Sequence, residues 1–135
     1  MRVVVNTNIL FSFFNKKSKA REYATLPSLE LYAPSFALEE LGEHKEEIME
    51  KFSLSTMQFS LIVKFLHTVV NFVKNEEYAS FLSEAKEVSP DPDDIDFFAL
   101  SFKLHCILWS NDTALKKQSR ITVISTKELV EQYRW

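Results

Sequence analysis

Val3-Val4-Val5-Asn6-Thr7-Asn8-Ile9-Leu10 sets the architecture of the chain. Three valines in succession, with no polar alternation, describe a short strand buried on both faces, as the strands of a parallel sheet are. The strand stops at the small polar run Asn6-Thr7-Asn8, and Ile9, Leu10, Phe13 and Phe14 then recur at helical spacing. Buried strand followed by helix is the alternation that α/β domains repeat.

The alternation continues along the sequence. A short helix is expected over Lys19 to Ala24, before Pro27, and a second strand over Leu29 to Ala33, closed by Pro34. Ser35 is an acceptable N-cap for a long helix whose charged tail runs through Glu43, Lys45, Glu46, Glu47 and Lys51. Ser55 opens another, with Phe59, Ile62, Val63, Leu66 and Val70 on a 3.6-residue period, although Val69 to Val73 also reads as a strand. Tyr78, Phe81, Leu82 and Ala85 mark an amphipathic helix over Glu76 to Glu87. After the breaker cluster Ser89-Pro90-Asp91-Pro92-Asp93-Asp94, the segment from Ile95 to Leu104 is a helix apolar on most of its circumference. Strands at Ile107 to Trp109 and Ile121 to Ile124, a short helix over Thr113 to Gln118 and a final one over Thr126 to Tyr133, capped by Thr126, complete the order. Nothing in the sequence chooses between docking and fraying for Trp135. The expected fold is an α/β domain with a mainly parallel sheet, one domain over residues 1–135.

Composition removes several function classes. The 135 residues contain one Gly against 12 Phe, where average Gly usage is about 7%. A Walker loop or dinucleotide fingerprint needs several glycines to bring backbone N–H groups onto phosphate, so nucleotide binding of that kind is excluded. Cys106 is the one cysteine, so an intramolecular disulfide is excluded, and its apolar neighbours mark a core thiol rather than a nucleophile. His44, His67 and His105 do not form a zinc spacing with it. The apolar run at the start is too short for a signal peptide or a membrane span, and a soluble cytoplasmic protein is expected. A net charge of −3 argues against a globally basic nucleic-acid binder but permits local patches: Lys16, Lys17, Lys19 and Arg21 make one, and Lys116, Lys117 and Arg120 another.

In open parallel sheets, functional groups collect beyond the carboxyl ends of the strands. Asn6 follows the first strand, Asp112 follows the Ile107 to Trp109 strand within Ser110-Asn111-Asp112, and Asp94 opens the helix that leads into that strand. Glu40, about two turns into the helix after the second strand, can lean toward the same edge. Carboxylates gathered in this way repel one another unless a divalent cation offsets the charge. With no imidazole or thiolate among them, hard Mg²⁺ or Mn²⁺ is the natural guest.

These motifs, in this order, resemble the PIN-domain ribonucleases, including the toxin component of bacterial and archaeal toxin-antitoxin pairs. Asn6-Thr7-Asn8-Ile9 matches the family's opening Asp-Thr-Asn-Ile/Val, and Pro34-Ser35-Phe36-Ala37-Leu38-Glu39-Glu40-Leu41 resembles its Glu-bearing segment. Asp91-Pro92-Asp93-Asp94 ahead of Phe97-Phe98-Ala99-Leu100, and Ser110-Asn111-Asp112 after an apolar strand, resemble the remaining two motifs. The resemblance implies a flavodoxin-like three-layer α/β/α sandwich, Mg²⁺- or Mn²⁺-dependent phosphodiester hydrolysis and RNA as substrate. An antitoxin protein or a second copy of the chain is an implied partner, for which part of the Phe excess would supply an apolar strip. Phe59, Phe65 and Phe72 also read simply as core.

The resemblance implies Asp94, Asp112 and Glu40 as catalytic, metal-holding acids, with Asn6 at the position of the family's first Asp. Asp94 is chosen over Asp93 because it lies three residues before Phe97; Asp91, Asp93 and Asp96 have a role available as caps and helix-dipole partners. Thr7, Asn8 and Ser110 are expected to orient the acids or touch phosphate, and Lys16, Lys17 and Lys116 to meet the substrate backbone at the rim. Asn6 keeps an acceptor oxygen but loses the charge and adds two donors. Three readings compete: a nuclease silenced by a deliberate Asp-to-Asn change, an enzyme weakened at this position, or a retired nuclease whose fold now binds RNA or protein.

Overall fold

Five parallel strands, β1 (Arg2–Val5), β2 (Glu30–Pro34), β3 (Val70–Val73), β4 (Ile107–Trp109) and β5 (Val123–Ile124), form one sheet in the order β3-β2-β1-β4-β5 in the computed structural model, which describes residues 1–132. The chain winds outward from β1 through β2 to β3, then returns to the other side of β1 for β4 and β5. The order therefore reverses between β1 and β4, the kind of switch point beyond whose carboxyl ends α/β sheets place their functional groups. Val3 pairs with Leu31 on one side and Ile107 on the other, and Val5 with Trp109, so the three valines are wholly buried in the centre of the sheet.

Helices cover both faces and make the expected three-layer α/β/α sandwich. They are α1 (Thr7–Phe11), α2 (Lys19–Ala24), α3 (Phe36–Glu43), α4 (Lys45–Lys51), α5 (Thr56–Val69), α6 (Asn75–Tyr78), α7 (Leu82–Val88), α8 (Ile95–Leu104) and α9 (Thr126–Gln132). The apolar circumference of α8 is explained by its position: it lies on β1, β2 and β4 while α6 and α7 pack against it, and Phe97, Phe98, Ala99 and Leu100 are buried. Phe59 is in the core, and Phe65 and Phe72 pack half-buried against it, so the aromatic excess is mainly core. Among the described residues the large exposed apolar side chains are Met1 at 44% and, on α5, Met57 at 72% and Leu61 at 58%. Among the described residues no helix is long and apolar enough to cross a membrane.

Several local expectations are corrected. The long helix after Ser35 breaks at His44 into α3 and α4, shortly after Gly42, whose backbone freedom weakens a helix interior. Ser35 stands at the cap position but makes no capping hydrogen bond. The Glu76 to Glu87 helix is split by a 3₁₀ turn at Ala79–Phe81, and Tyr78 is buried with its hydroxyl donating to Asp96 at 2.5 Å. Val70–Val73 is a strand because it pairs with β2, a long-range choice that a four-residue apolar run cannot announce. Ser125, not Thr126, caps α9: its Oγ accepts from Glu128 N–H while Glu128 returns a bond to Ser125 N–H. Thr126 instead accepts from the indole Nε1–H of buried Trp109 at 3.0 Å. Cys106 is half-buried and its thiol is pushed up to about 11, chiefly by burial, in keeping with a core thiol. The expected helix end at Tyr133, and Trp135, lie outside the described residues.

Candidate metal centre

The crevice between β1 and β4 is closed on one side by a ladder of hydrogen bonds. Asn6 is buried, its N–H donating to Trp109 C=O at 3.2 Å, so the chain leaves β1 still tied to β4. It is the N-cap of α1, with Oδ1 accepting from Ile9 N–H at 3.2 Å, the role that a short Asn side chain fills best. Its Nδ2 donates to Ser110 Oγ at 2.7 Å, and Ser110 Oγ also accepts from Asp112 N–H at 3.1 Å. Residue 6 thus directs its amide into protein partners and, through buried Ser110, fixes the backbone that presents Asp112. Asp112 in turn caps the 3₁₀ turn at Thr113–Lys117, Oδ1 accepting from Ala114 N–H at 3.0 Å.

The opposite side is built from the acidic loop. Pro92 opens a 3₁₀ turn at Pro92–Asp94, a position where its missing N–H is no loss, and Asp91 caps that turn, Oδ1 accepting from Asp93 N–H at 2.9 Å. Three residues complete one 3₁₀ turn, so Asp91 and Asp94 come to the same side. Asp91, Asp94 and Asp112 each offer a carboxylate oxygen, all within 4.8 Å of one another, and all three residues are half-buried. At that separation two full negative charges repel by about 3 kcal/mol for an effective dielectric of about 20. The carboxyl of Asp94 is accordingly pushed up to about 6, first by burial and then by the charges of Asp91, Asp112, Asp93 and Glu40.

Glu40 on α3 shares this field but not the triangle. Its Oε1 accepts from Thr7 Oγ1 at 2.9 Å, and its carboxyl is raised, chiefly by burial, partly opposed by the Thr7 bond and reinforced by Asp93 and Glu43. Of the residues expected from sequence, Asn6, Thr7, Glu40, Asp94, Ser110 and Asp112 converge on the crevice. Asn8 does not: it is exposed on α1 and lines a separate cavity of about 420 Å³ with Phe11, Asn15, His44 and Lys51. Lys16 and Lys17 line a second cavity with Arg21, Phe14, Phe52 and Ile62, and among the described residues neither makes an ion pair. Lys116 is paired with Glu128, and Arg120 with Glu84, so the second basic patch is largely neutralised within the chain.

Sequence reasoning missed Asp91. Asp91 is the cap expected, yet the same carboxylate also joins the triangle; the three-residue spacing to Asp94 ahead of a helix is the available signal. Asp96 points elsewhere, to Tyr78. Three convergent hard carboxylates, with no imidazole or thiolate in the group, suit a small divalent cation better than a zinc-type ion.

No curated protein matches the sequence. Among solved structures, the chain is similar to one from the crystal structure of VapBC2 from Rickettsia felis bound to a DNA fragment from their promoter. The TM-score is 0.67 at 14% identity, covering 93% of this chain and 98% of that one, a likeness of fold. The sequence model of the PIN domain matches residues 4–134, essentially the whole length, and the chain is thereby a member of the PIN-domain family.

Proposed function

We propose that this single PIN domain is a ribonuclease that hydrolyses RNA phosphodiesters with the help of Mg²⁺ or Mn²⁺. The convergence of Asp94 and Asp112 with a third carboxylate beyond the switch point of the sheet carries this reading. A divalent cation held there would offset the charge of the scissile phosphate and acidify an attacking water. Asp94 and Asp112 would hold it, Asp112 being oriented through the Ser110 and Ala114 contacts. Glu40, steadied by Thr7 at Oε1, leaves Oε2 to hold the attacking water or to take up its proton. Ser110 and Thr7 act by positioning, since both are engaged with site residues. Lys16 and Lys17, exposed and unpaired among the described residues, meet the RNA backbone without reading its bases. Asn6, lacking the charge of a carboxylate, leaves this chain a weakened enzyme.

The biological setting that fits is the cytoplasm, as the toxin of a two-protein pair whose antitoxin covers it, with exposed Met57 and Leu61 on α5 available to that partner or to a second copy. A non-catalytic module for RNA or protein is the second reading, favoured by the Lys16, Lys17 and Arg21 cavity, which shares no residue with the acids. One assay separates them. Cleavage of single-stranded RNA with Mn²⁺, Mg²⁺ or EDTA should be metal-dependent, stronger by about tenfold or more in Asn6→Asp, and lost in Asp94→Ala. No metal-dependent cleavage by either the parent or Asn6→Asp leaves the binding module standing.

A further inference from the structure

We infer that in this chain Asp91, rather than residue 6, supplies the third carboxylate that holds the divalent cation, and that Asn6 has become a positioning residue. This rests on the cation-site reading given above and names which side chains carry it out. Both working ends of the Asn6 amide face protein partners, Oδ1 on Ile9 N–H and Nδ2 on Ser110 Oγ. In that orientation the amide steadies Ser110, which holds Asp112 N–H, and it offers the crevice no charge. Asp91 stands on the other side with the opposite attributes: a full charge, half-buried, and a side chain fixed by its own cap bond to Asp93 N–H.

Capping alone does not account for the position of Asp91. A cap needs one oxygen near the N–H groups of its own turn, whereas Asp91 also brings an oxygen within 4.8 Å of both Asp94 and Asp112. Among the described residues no cation relieves that crowding: the ion pairs are Lys19–Glu22, His44–Glu47, Lys116–Glu128 and Arg120–Glu84, none involving the three aspartates. Glu40, the other acid in reach, is drawn toward Thr7 and stays outside the triangle. Asp91, Asp94 and Asp112 are thus the set that remains to grip a hard cation, and two of the three sit one 3₁₀ turn apart on a single loop.

Calorimetric titration of Mn²⁺ at pH 7.5 into the full chain and into Asp91→Asn, Asp93→Asn and Asp94→Asn tests this. Asn caps as well as Asp, so Asp91→Asn keeps the turn, and a thermal midpoint in EDTA no lower than the parent's checks that it has. The expected result is binding weakened at least about tenfold in Asp91→Asn and in Asp94→Asn, with less than about threefold change in Asp93→Asn, whose side chain is exposed. Parent-like affinity in Asp91→Asn alongside loss in Asp94→Asn overturns the assignment of Asp91 and leaves the cation site intact. Absence of Mn²⁺ binding by the parent overturns the inference, and its absence in a parallel titration of Asn6→Asp overturns the cation site as well.

Discussion

The two walls of the crevice hold their polar groups on opposite terms. On the β1 wall each group has a partner: Asn6 with Ile9 and Ser110, Ser110 with Asp112 N–H, Thr7 with Glu40. On the wall formed by the acidic loop, Asp91 and Asp94 are pressed toward Asp112 with no cationic side chain on any of them among the described residues. The first wall is built for stability and precision of placement; the second is under strain that a bound cation would relieve. On the proposed reading, stability and function are therefore separable here by single substitutions.

The largest effect should come from the strained wall. Asp94→Asn, assayed in the Asn6→Asp background, which the proposed function expects to cleave faster, should lower Mn²⁺-dependent RNA cleavage by about a hundredfold or more. Retention of cleavage would show that the two walls do not divide the work as described. From the satisfied wall, Ser110→Ala removes the acceptor shared by Asn6 Nδ2 and Asp112 N–H and should cost about 2 kcal/mol in urea unfolding, since it orphans buried donors. A loss no larger than that of an exposed serine such as Ser60 would mean the ladder is idle.

A smaller effect sharpens the contrast through pH. The Asp94 carboxyl, about 6 in the folded chain against an ordinary 3.8, binds its proton more tightly when folded. Between about pH 4 and pH 6 the folded state therefore carries more protons than the unfolded one, so stability falls as pH rises through that window and stays lower above it. After allowance for solvent screening of a half-buried group, the contribution is on the order of 1 kcal/mol. Urea titrations at several pH values should show this fall in the parent and a shallower one in Asp94→Asn. Smallest of all, and away from both walls, His105 ends α8 in the left-handed region at φ 53, where glycine carries no penalty. His105→Gly should gain about 0.5–1 kcal/mol with RNA cleavage unchanged.

How much of this was legible beforehand follows the range of the interactions. The triple valine, the strands at β2 and β4 and the apolar α8 were read correctly because their signals are local and periodic. Asp94 and Asp112 could be placed because strand ends and helix starts are also local. The partner that decides what Asn6 does, Ser110, is 104 residues away, and no pattern around residue 6 reports it. Asp91 is hidden for a different reason: its capping role is a sufficient local explanation, and its approach to Asp112 is a long-range contact that no local pattern reports. The two basic patches read alike in sequence and differ in the fold, because Glu128 and Glu84 reach Lys116 and Arg120 but no acid reaches Lys16 or Lys17 among the described residues. Ser125-Thr126-Lys127-Glu128 is a legible capping box, which the threonine beside Ser125 obscures.

Thermal unfolding of the parent and of Asp94→Asn at pH 7.5, each in EDTA and in excess Mn²⁺, bears most directly on the claim that the converging carboxylates are a cation site. In EDTA, Asp94→Asn should melt higher than the parent by about 3 °C, because it is relieved of repulsion worth on the order of 1 kcal/mol. Mn²⁺ at about a hundredfold excess over its dissociation constant should add about 2.7 kcal/mol to the parent, reversing the order, and add little to the variant. A parent that already melts higher in EDTA, or Mn²⁺ raising both proteins equally, would contradict the account.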